Sequence, residues 1–122
     1  MATFKNFEEI VAWQKARILT KRVYQATADG KFSKDFGLSD QIRRASVSIM
    51  ANIAEGFGRR TNKDFANFLV IAHGSGADVQ SHLYIALDLG YISDQSFGEL
   101  YKLVDEISRM TMTLCQHLRR SS

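Results

Sequence analysis

The stretch from Gln41 to Arg59 constrains the fold more than any other part of the sequence, because two stripes run along it at helical spacing. The first stripe is apolar and consists of Leu38, Ile42, Ala45, Ile49, Ile53 and Gly56. The second stripe is polar and consists of Gln41, Arg44, Ser48, Asn52 and Glu55. Together they predict a helix that is buried on one face and bordered by groups that need hydrogen-bonding partners.

Three other segments have the same periodicity, so the sequence predicts an all-α fold. The four predicted helices span 7–28, 38–57, 62–90 and 95–119. Their connections are short, and a short connection returns the chain beside the helix it has just left. We therefore expect an antiparallel up-down-up-down bundle that forms one domain over residues 1–122.

Capping residues and glycines define the ends of these helices. The candidate caps are Asn6 for the first helix, Ser39 for the second, Thr61 or Asn62 for the third, and Ser93, Asp94 or Ser96 for the fourth. Gly30 is expected to end the first helix, which leaves residues Lys31 to Gly37 as a polar connection. The buried face of the first helix is predicted at Trp13, Ala16, Thr20, Val23, Tyr24 and Thr27.

The composition limits the class of protein. The 122 residues suffice for one core, and 45% hydrophobic with 24% charged residues is typical of a globular protein. Proline is absent, which favours long helices. Because Cys115 is the single cysteine, no N-terminal stretch resembles a signal peptide, and charges interrupt every apolar run, we expect a cytoplasmic protein with no membrane contact.

A second apolar line lies on the first helix, nearly opposite its predicted buried face. Its members are Phe7, Val11 and Ile18. A surface helix normally presents a polar side to water, so a monomeric bundle does not account for this line. We therefore predict that these residues contact another subunit in a homo-oligomer.

Four residues of the polar stripe, Gln41, Arg44, Asn52 and Glu55, are candidates for a polar network. They lie beside the core line, where an unpaired charge is costly, so they require partners. We predict that the network crosses between helices or subunits and sets their register. The alternative is a binding or catalytic site, and Glu55 has a further alternative partner in Arg59, one turn on.

Basic residues gather at one end of the predicted bundle. We define the basic rim as Arg59, Arg60, Lys63, Arg119 and Arg120. Such cations can bind nucleic-acid phosphates and release counterions, and the net charge of +3 is compatible with this role. The alternative is that they only keep the protein in solution. No aromatic residue interleaves the rim, so single-stranded bases have no predicted stacking surface.

Enzymatic and metal chemistry are not predicted. The chain has no Glu-x-x-His pair for a di-iron bundle, and Asp78 with His82 supplies only two ligands four residues apart. Gly74-Ser75-Gly76 lacks the preceding strand and the lysine of a phosphate loop, so we interpret these small residues as a close helix contact. Cys115 lies on the core line and is expected to be a packed thiol. We predict no catalytic residues, no metal and no cofactor.

The polar and apolar pattern also resembles a known family, the 23S rRNA intervening-sequence proteins. The resemblance lies in Gln41 to Ala45, Ser48-Ile49, Asn52 to Gly56 and Gly58-Arg59. It continues at Trp13 to Ala16, Val23-Tyr24, Phe68-Leu69, Ala72 and Gly74-Ser75, so it covers nearly the whole chain. The family usually has proline where this chain has Met50 and near Ser33.

The resemblance implies a left-handed four-helix bundle that assembles into a homopentameric ring. It also implies a distant similarity to the accessory variability determinant of diversity-generating retroelements, a basic pentameric bundle that binds nucleic acid and a reverse transcriptase. The expected partners are therefore further copies of the chain, RNA or DNA, and alternatively a protein partner without nucleic acid. These partners are implications of the resemblance, because fold analogy alone does not transfer function.

Overall fold

The computed structural model describes residues 4–121, and every regular element in this range is helical. A 3-10 turn at Phe7–Glu9 precedes five α-helices. They are α1 Val11–Ala26, α2 Gly30–Lys34, α3 Phe36–Phe57, α4 Asn62–Asp88 and α5 Asp94–Arg120. The all-α class expected from the periodicity is confirmed. None of the helices in the described range combines the length and apolarity that crossing a membrane requires.

The four long helices pack side by side around one core. α3 lies between α1 and α4, and α5 also contacts both α4 and α1. The Cys115 thiol near the end of α5 lies 3.5 Å from the Ala66 carbonyl near the start of α4. Arg43, early in α3, donates to the Thr27 hydroxyl just after α1 at 2.7 Å. Neighbouring helices therefore run antiparallel, and the α3/α4 face lies opposite the α1/α5 face.

The apolar stripe of α3 is the centre of the core, as its spacing predicts. Ile42, Ile49 and Ile53 are each at most 1% exposed. Burying a side chain of this size stabilises a fold by about 1.5–3 kcal/mol. Buried residues of the other helices, including Leu19, Leu69 and Ile107, are each at most 2% exposed. The stripe thus docks α3 against the remaining three long helices.

The predicted start of the first helix is wrong by one turn. Residues 7–9 form a 3-10 turn, and the α-helix begins only at Val11. Asn6 precedes the 3-10 turn and its side chain makes no capping hydrogen bond. The Ile10 side chain, which is 2% exposed, takes up a core position immediately before the helix. Burial of this apolar residue, and not a polar cap, marks the start of α1.

Ser39 is not the cap of the second predicted helix. Its hydroxyl is buried and donates to the Phe32 carbonyl at 2.6 Å. The cap is Asp35, whose Oδ1 accepts a hydrogen bond from the Leu38 amide at 3.1 Å. Thr61 caps α4 and Ser93 caps α5, each through its side chain. Both residues are among the predicted candidate caps.

The stretch predicted as a polar connection contains the short helix α2. Gly30 adopts a φ of 66° and opens this helix, so the prediction that it ends the first helix, which stops at Ala26, is wrong. Phe32 is 2% exposed and stacks on Tyr91, with ring centroids 5.3 Å apart. The connection is therefore anchored to the loop before α5 by one aromatic side chain.

The buried face of α1 is rotated from the predicted one. Its buried residues are Ala12, Ala16, Leu19 and Val23, with Thr27 just beyond the helix. Trp13 and Thr20 are half-buried, and Tyr24 is 44% exposed. The rotation is consistent with packing, because α1 contacts both α3 and α5 and its buried face includes Leu19, which is 0% exposed.

Candidate functional site

The basic rim lies where α3 ends, α4 begins and α5 ends. The contact between Cys115 and Ala66 brings the end of α5 to this end of the bundle. Arg60, Lys63, Arg119 and Arg120 are exposed and form no ion pair within residues 4–121. These cations are therefore not neutralised by the part of the chain that the structure describes.

Arg59 differs from the other rim residues because the chain already holds it. Its Nη2 atom lies 3.0 Å from Glu55 Oε2, four residues earlier. Its guanidinium also lies over the Phe68 ring, 4.6 Å from the centroid, which is worth about 0.5–1 kcal/mol at an exposed site. Arg59 is thus held by two contacts within the chain.

The aromatic rings near the rim pack within the chain. Phe68 is covered by Arg59, and Phe57 meets the buried Phe65 edge-on with centroids 6.1 Å apart. Both rings therefore already contact another group of the chain on one side.

The polar stripe of α3 does not form a network between helices through its charged residues. Arg44 pairs with Asp40 at 2.8 Å and Glu55 pairs with Arg59, both one turn apart and both exposed. Asn52 donates to the Ser48 carbonyl and hydroxyl at 2.8 and 3.0 Å. Within the chain, Arg44 and Glu55 therefore pair locally, and the partner of Glu55 is Arg59, the alternative predicted for it. Asn52 instead reaches α4 through the Ser48 hydroxyl.

One contact of the stripe does cross between helices. The hydroxyls of Ser48 and Ser75 lie 2.8 Å apart and join α3 to α4. They form the floor of a shallow polar groove of about 450 Å³, whose other lining residues are Gln41, Arg44, Ala45, Asp78 and His82. His82 Nδ1 is buried, and among the described residues it has no hydrogen-bond partner. Contacts of this groove with another subunit stay a prediction.

A larger and more apolar groove lies on the opposite face, between the start of α1 and the end of α5. It encloses about 530 Å³ and is lined by Phe4, Ile10, Val11, Ala12, Arg109, Met110, Thr113, Leu114, His117 and Arg120. Sequence reasoning missed it, although Met110 and Leu114 lie one turn apart beside the core line of α5. We call it the α1/α5 groove.

The predicted interface line is only partly displayed on the surface. Val11 is 44% exposed and Ile18 is 53% exposed. Phe7 belongs to the 3-10 turn and packs edge-on against Trp13, with centroids 5.0 Å apart. Val11 and Ile18 are therefore available to a partner, whereas Phe7 already has a partner within the chain.

The residues considered for chemistry do not converge. Within residues 4–121 no three His, Cys, Asp or Glu side chains gather as metal ligands would. The Cys115 thiol is fully buried, as its core position predicts. A Cβ atom added to Gly76 would lie 3.0 Å from Ser108 Oγ, so this glycine does serve a close contact between α4 and α5. Gly74 would meet nothing within 4 Å, so its interpretation as a close contact within the chain is wrong.

These observations define the class of protein: a helical bundle with a basic end and without an evident catalytic centre in the described range. Residues 8–113 match the family model of the 23S rRNA-intervening sequence proteins, and the chain belongs to that family, as its resemblance predicts. A crystal structure of a protein with unknown function, from the S23 ribosomal protein family of Bacteroides thetaiotaomicron VPI-5482, is similar with a TM-score of 0.78. The two chains are 24% identical over 85% of this chain and 97% of that one, which shows the shared fold. Comparison with the curated proteins found no match.

Proposed function

We propose that this protein is a non-enzymatic, homo-oligomeric helical bundle that associates with nucleic acid or ribonucleoprotein through its basic rim. The observation that carries the proposal is the set of four exposed rim cations without an ion pair in the described chain. Arg59 belongs to the same rim, and Glu55 and Phe68 hold it in place. The family name refers to an rRNA insertion, which supports an RNA partner without specifying one.

The proposed assembly is a left-handed bundle repeated in a ring, with five subunits as the family resemblance implies. A ring would place the basic rims of all subunits on one side. Several weak phosphate contacts would then act together, since each further contact becomes intramolecular after the first. The moderate net charge of a single chain is therefore sufficient for binding by the assembly.

The proposal predicts salt-dependent binding of a nucleic-acid duplex of arbitrary sequence. The variant Arg60→Glu/Lys63→Glu/Arg119→Glu should lose most of the affinity for a short RNA duplex, measured by fluorescence anisotropy at low salt. Each neutralised phosphate contact adds about 0.9 to the slope of log affinity against log salt for a DNA duplex, so the variant should also have a shallower slope with DNA.

The matched control is Lys31→Glu/Lys34→Glu at the opposite end, with Lys21→Glu on α1 as the third charge reversal. All three side chains are exposed and form no ion pair in the described range. This control changes net charge equally and should retain binding. Equal loss in both variants would show that only net charge matters, and absence of binding by the unmutated protein at low salt would disprove the proposal.

The second candidate function is a scaffold that binds protein alone. The apolar α1/α5 groove favours it, because grooves of this size and lining suit apolar side chains of a partner. In that case a partner captured from a lysate would stay bound after nuclease treatment, and the rim variant would capture it as well as the unmutated protein does.

A further inference from the structure

The outward side of α4 carries an unusual amount of apolar surface for a helix facing water. We call this surface the α4 ridge and define it as Val70, Ile71, Asp78, Ile85 and Leu89. Its four apolar members are between 41% and 52% exposed. Ile71, Asp78 and Ile85 follow one another at seven-residue intervals, the repeat typical of a helix that packs against another helix.

A glycine in the ridge points to close approach from outside. Gly74 lies one turn after Ile71 and costs α4 about 1 kcal/mol relative to alanine. A Cβ atom there would meet nothing within 4 Å in the chain, so internal packing does not require glycine. Close contact with another molecule at this place accounts for it.

The ridge and the α1/α5 groove have opposite charge. No lysine or arginine occurs between Lys63 and Lys102, whereas Asp78 and Asp88 lie exposed on α4. The groove has an apolar floor, its charged lining residues are Arg109 and Arg120, and no acidic residue lines it. Arg109 reaches Asp105 only at 3.7 Å, so neither arginine is strongly neutralised within residues 4–121.

The two surfaces also lie on opposite sides of the molecule. Asp78 lines the polar groove between α3 and α4, which places this side of the ridge on the α3/α4 face. The α1/α5 groove is on the other face. Surfaces placed in this way cannot meet in one two-fold dimer, but they can join head to tail and close into a ring.

We infer that the α4 ridge of one copy docks into the α1/α5 groove of a second copy, in a heterologous contact repeated around the assembly. The inference rests on the proposed homo-oligomer and specifies its interface. The groove extends along α5 from Arg109 to Arg120, about 16 Å at 1.5 Å per residue, and therefore accepts about three turns of a helix. The polar groove beside the ridge, with Ser48, Ser75 and His82, lies in the same contact and sets its register.

The test uses two double variants that block one surface each. Val11→Glu/Thr113→Glu places acidic groups in the groove, where they repel the acidic ridge and remove apolar contact. Ile71→Glu/Ile85→Glu does the same on the ridge. All four residues are exposed in the single chain, so the core is unchanged. The matched control is Phe36→Glu/Val47→Glu, which changes two other exposed apolar residues, 80% and 39% exposed, outside both surfaces.

Native mass spectrometry and light scattering should find monomers for each blocked variant alone and the unchanged oligomer for the control. A mixture of the two blocked variants should form 1:1 heterodimers, because one copy keeps an intact ridge and the other an intact groove. Only a heterologous contact gives this result. An isologous contact through the groove would leave the groove variant monomeric and the ridge variant fully assembled.

The outcomes separate this inference from the proposal on which it rests. A monomeric unmutated protein disproves the homo-oligomer itself. Three results would leave the homo-oligomer standing and overturn the docking of ridge into groove. The oligomer could persist in both blocked variants, it could dissociate equally in the control, or the two blocked variants could form no heterodimer on mixing.

Circular dichroism checks that each variant keeps its helices. If a blocked variant is not folded, Arg109→Glu replaces it for the groove and Asp78→Lys replaces it for the ridge. These substitutions change only exposed charges, and the same heterodimer is expected from their mixture.

Discussion

At the scale of single residues, the glycines show how the tertiary structure gives different roles to the same amino acid. A Cβ atom on Gly56 would lie 2.7 Å from Phe68 Cβ and 3.2 Å from the Phe65 carbonyl oxygen. The same atom on Gly98 would meet nothing within 4 Å. Both glycines lie within helices, so sequence spacing alone does not separate them.

Gly56→Ala should therefore destabilise the protein, although alanine is the better helix former. Separating α3 from α4 to admit the methyl group costs about 1–3 kcal/mol, which exceeds the gain of about 1 kcal/mol in helix propensity. Gly98→Ala is the control and should raise the unfolding free energy by up to about 1 kcal/mol. Urea denaturation measures both, and a stabilised Gly56→Ala would show that the close approach is not rigid.

At the scale of helices, the boundaries depend on whether a capping side chain reaches a free amide. Thr61 accepts from the Asp64 amide at 3.1 Å and Ser93 accepts from the Ser96 amide at 3.0 Å. Asn6 has the right chemistry but makes no such bond. The sequence identifies the candidates, and local backbone geometry selects among them.

Thr61→Ala should lower the unfolding free energy by about 0.5–2 kcal/mol, because the Asp64 amide loses its acceptor. Asn6→Ala should have almost no effect, since its side chain caps nothing. Thermal and urea unfolding of the two variants measure the difference. A larger loss from Asn6→Ala than from Thr61→Ala would contradict the assignment of the caps.

At the scale of the whole molecule, two ion pairs join α1 to α5. Lys15 pairs with Glu106, and Arg22 lies 2.7 Å from Glu99. The hydrogen bond from Lys15 lowers the pKa of Glu106 below the ordinary glutamate value of 4.5. Hydrogen bonds from Gln95 and then Arg22 lower the pKa of Glu99 in the same way. Stability from both carboxylates is present above their unfolded pKa and is lost as the pH falls through the folded one.

Glu106→Gln should therefore reduce the melting temperature near about pH 7. Its effect should shrink progressively as the pH falls below the unfolded glutamate pKa of about 4.3 and through the lowered pKa of folded Glu106, where the unmutated carboxylate takes up a proton. The effect is small, because the pair is partly exposed and screened by solvent. Glu8→Gln is the control, since the Glu8 side chain has no ion pair within the described residues. If the difference in melting temperature between Glu106→Gln and the unmutated protein does not change with pH, the lowered pKa of Glu106 is contradicted.

The sequence by itself determined the helical class, the core stripe of α3, the buried thiol of Cys115 and the family, because these depend on periodicity and local residue order. It also identified the rim cations, since residues at the ends of neighbouring helices can be placed from loop lengths alone. Only the tertiary structure decided the rotation of α1, the helix α2 anchored by Phe32, and the local pairing of Arg44 and Glu55. It alone produced the α1/α5 groove, because that surface is formed by residues about 100 positions apart, whose contact no short-range pattern encodes.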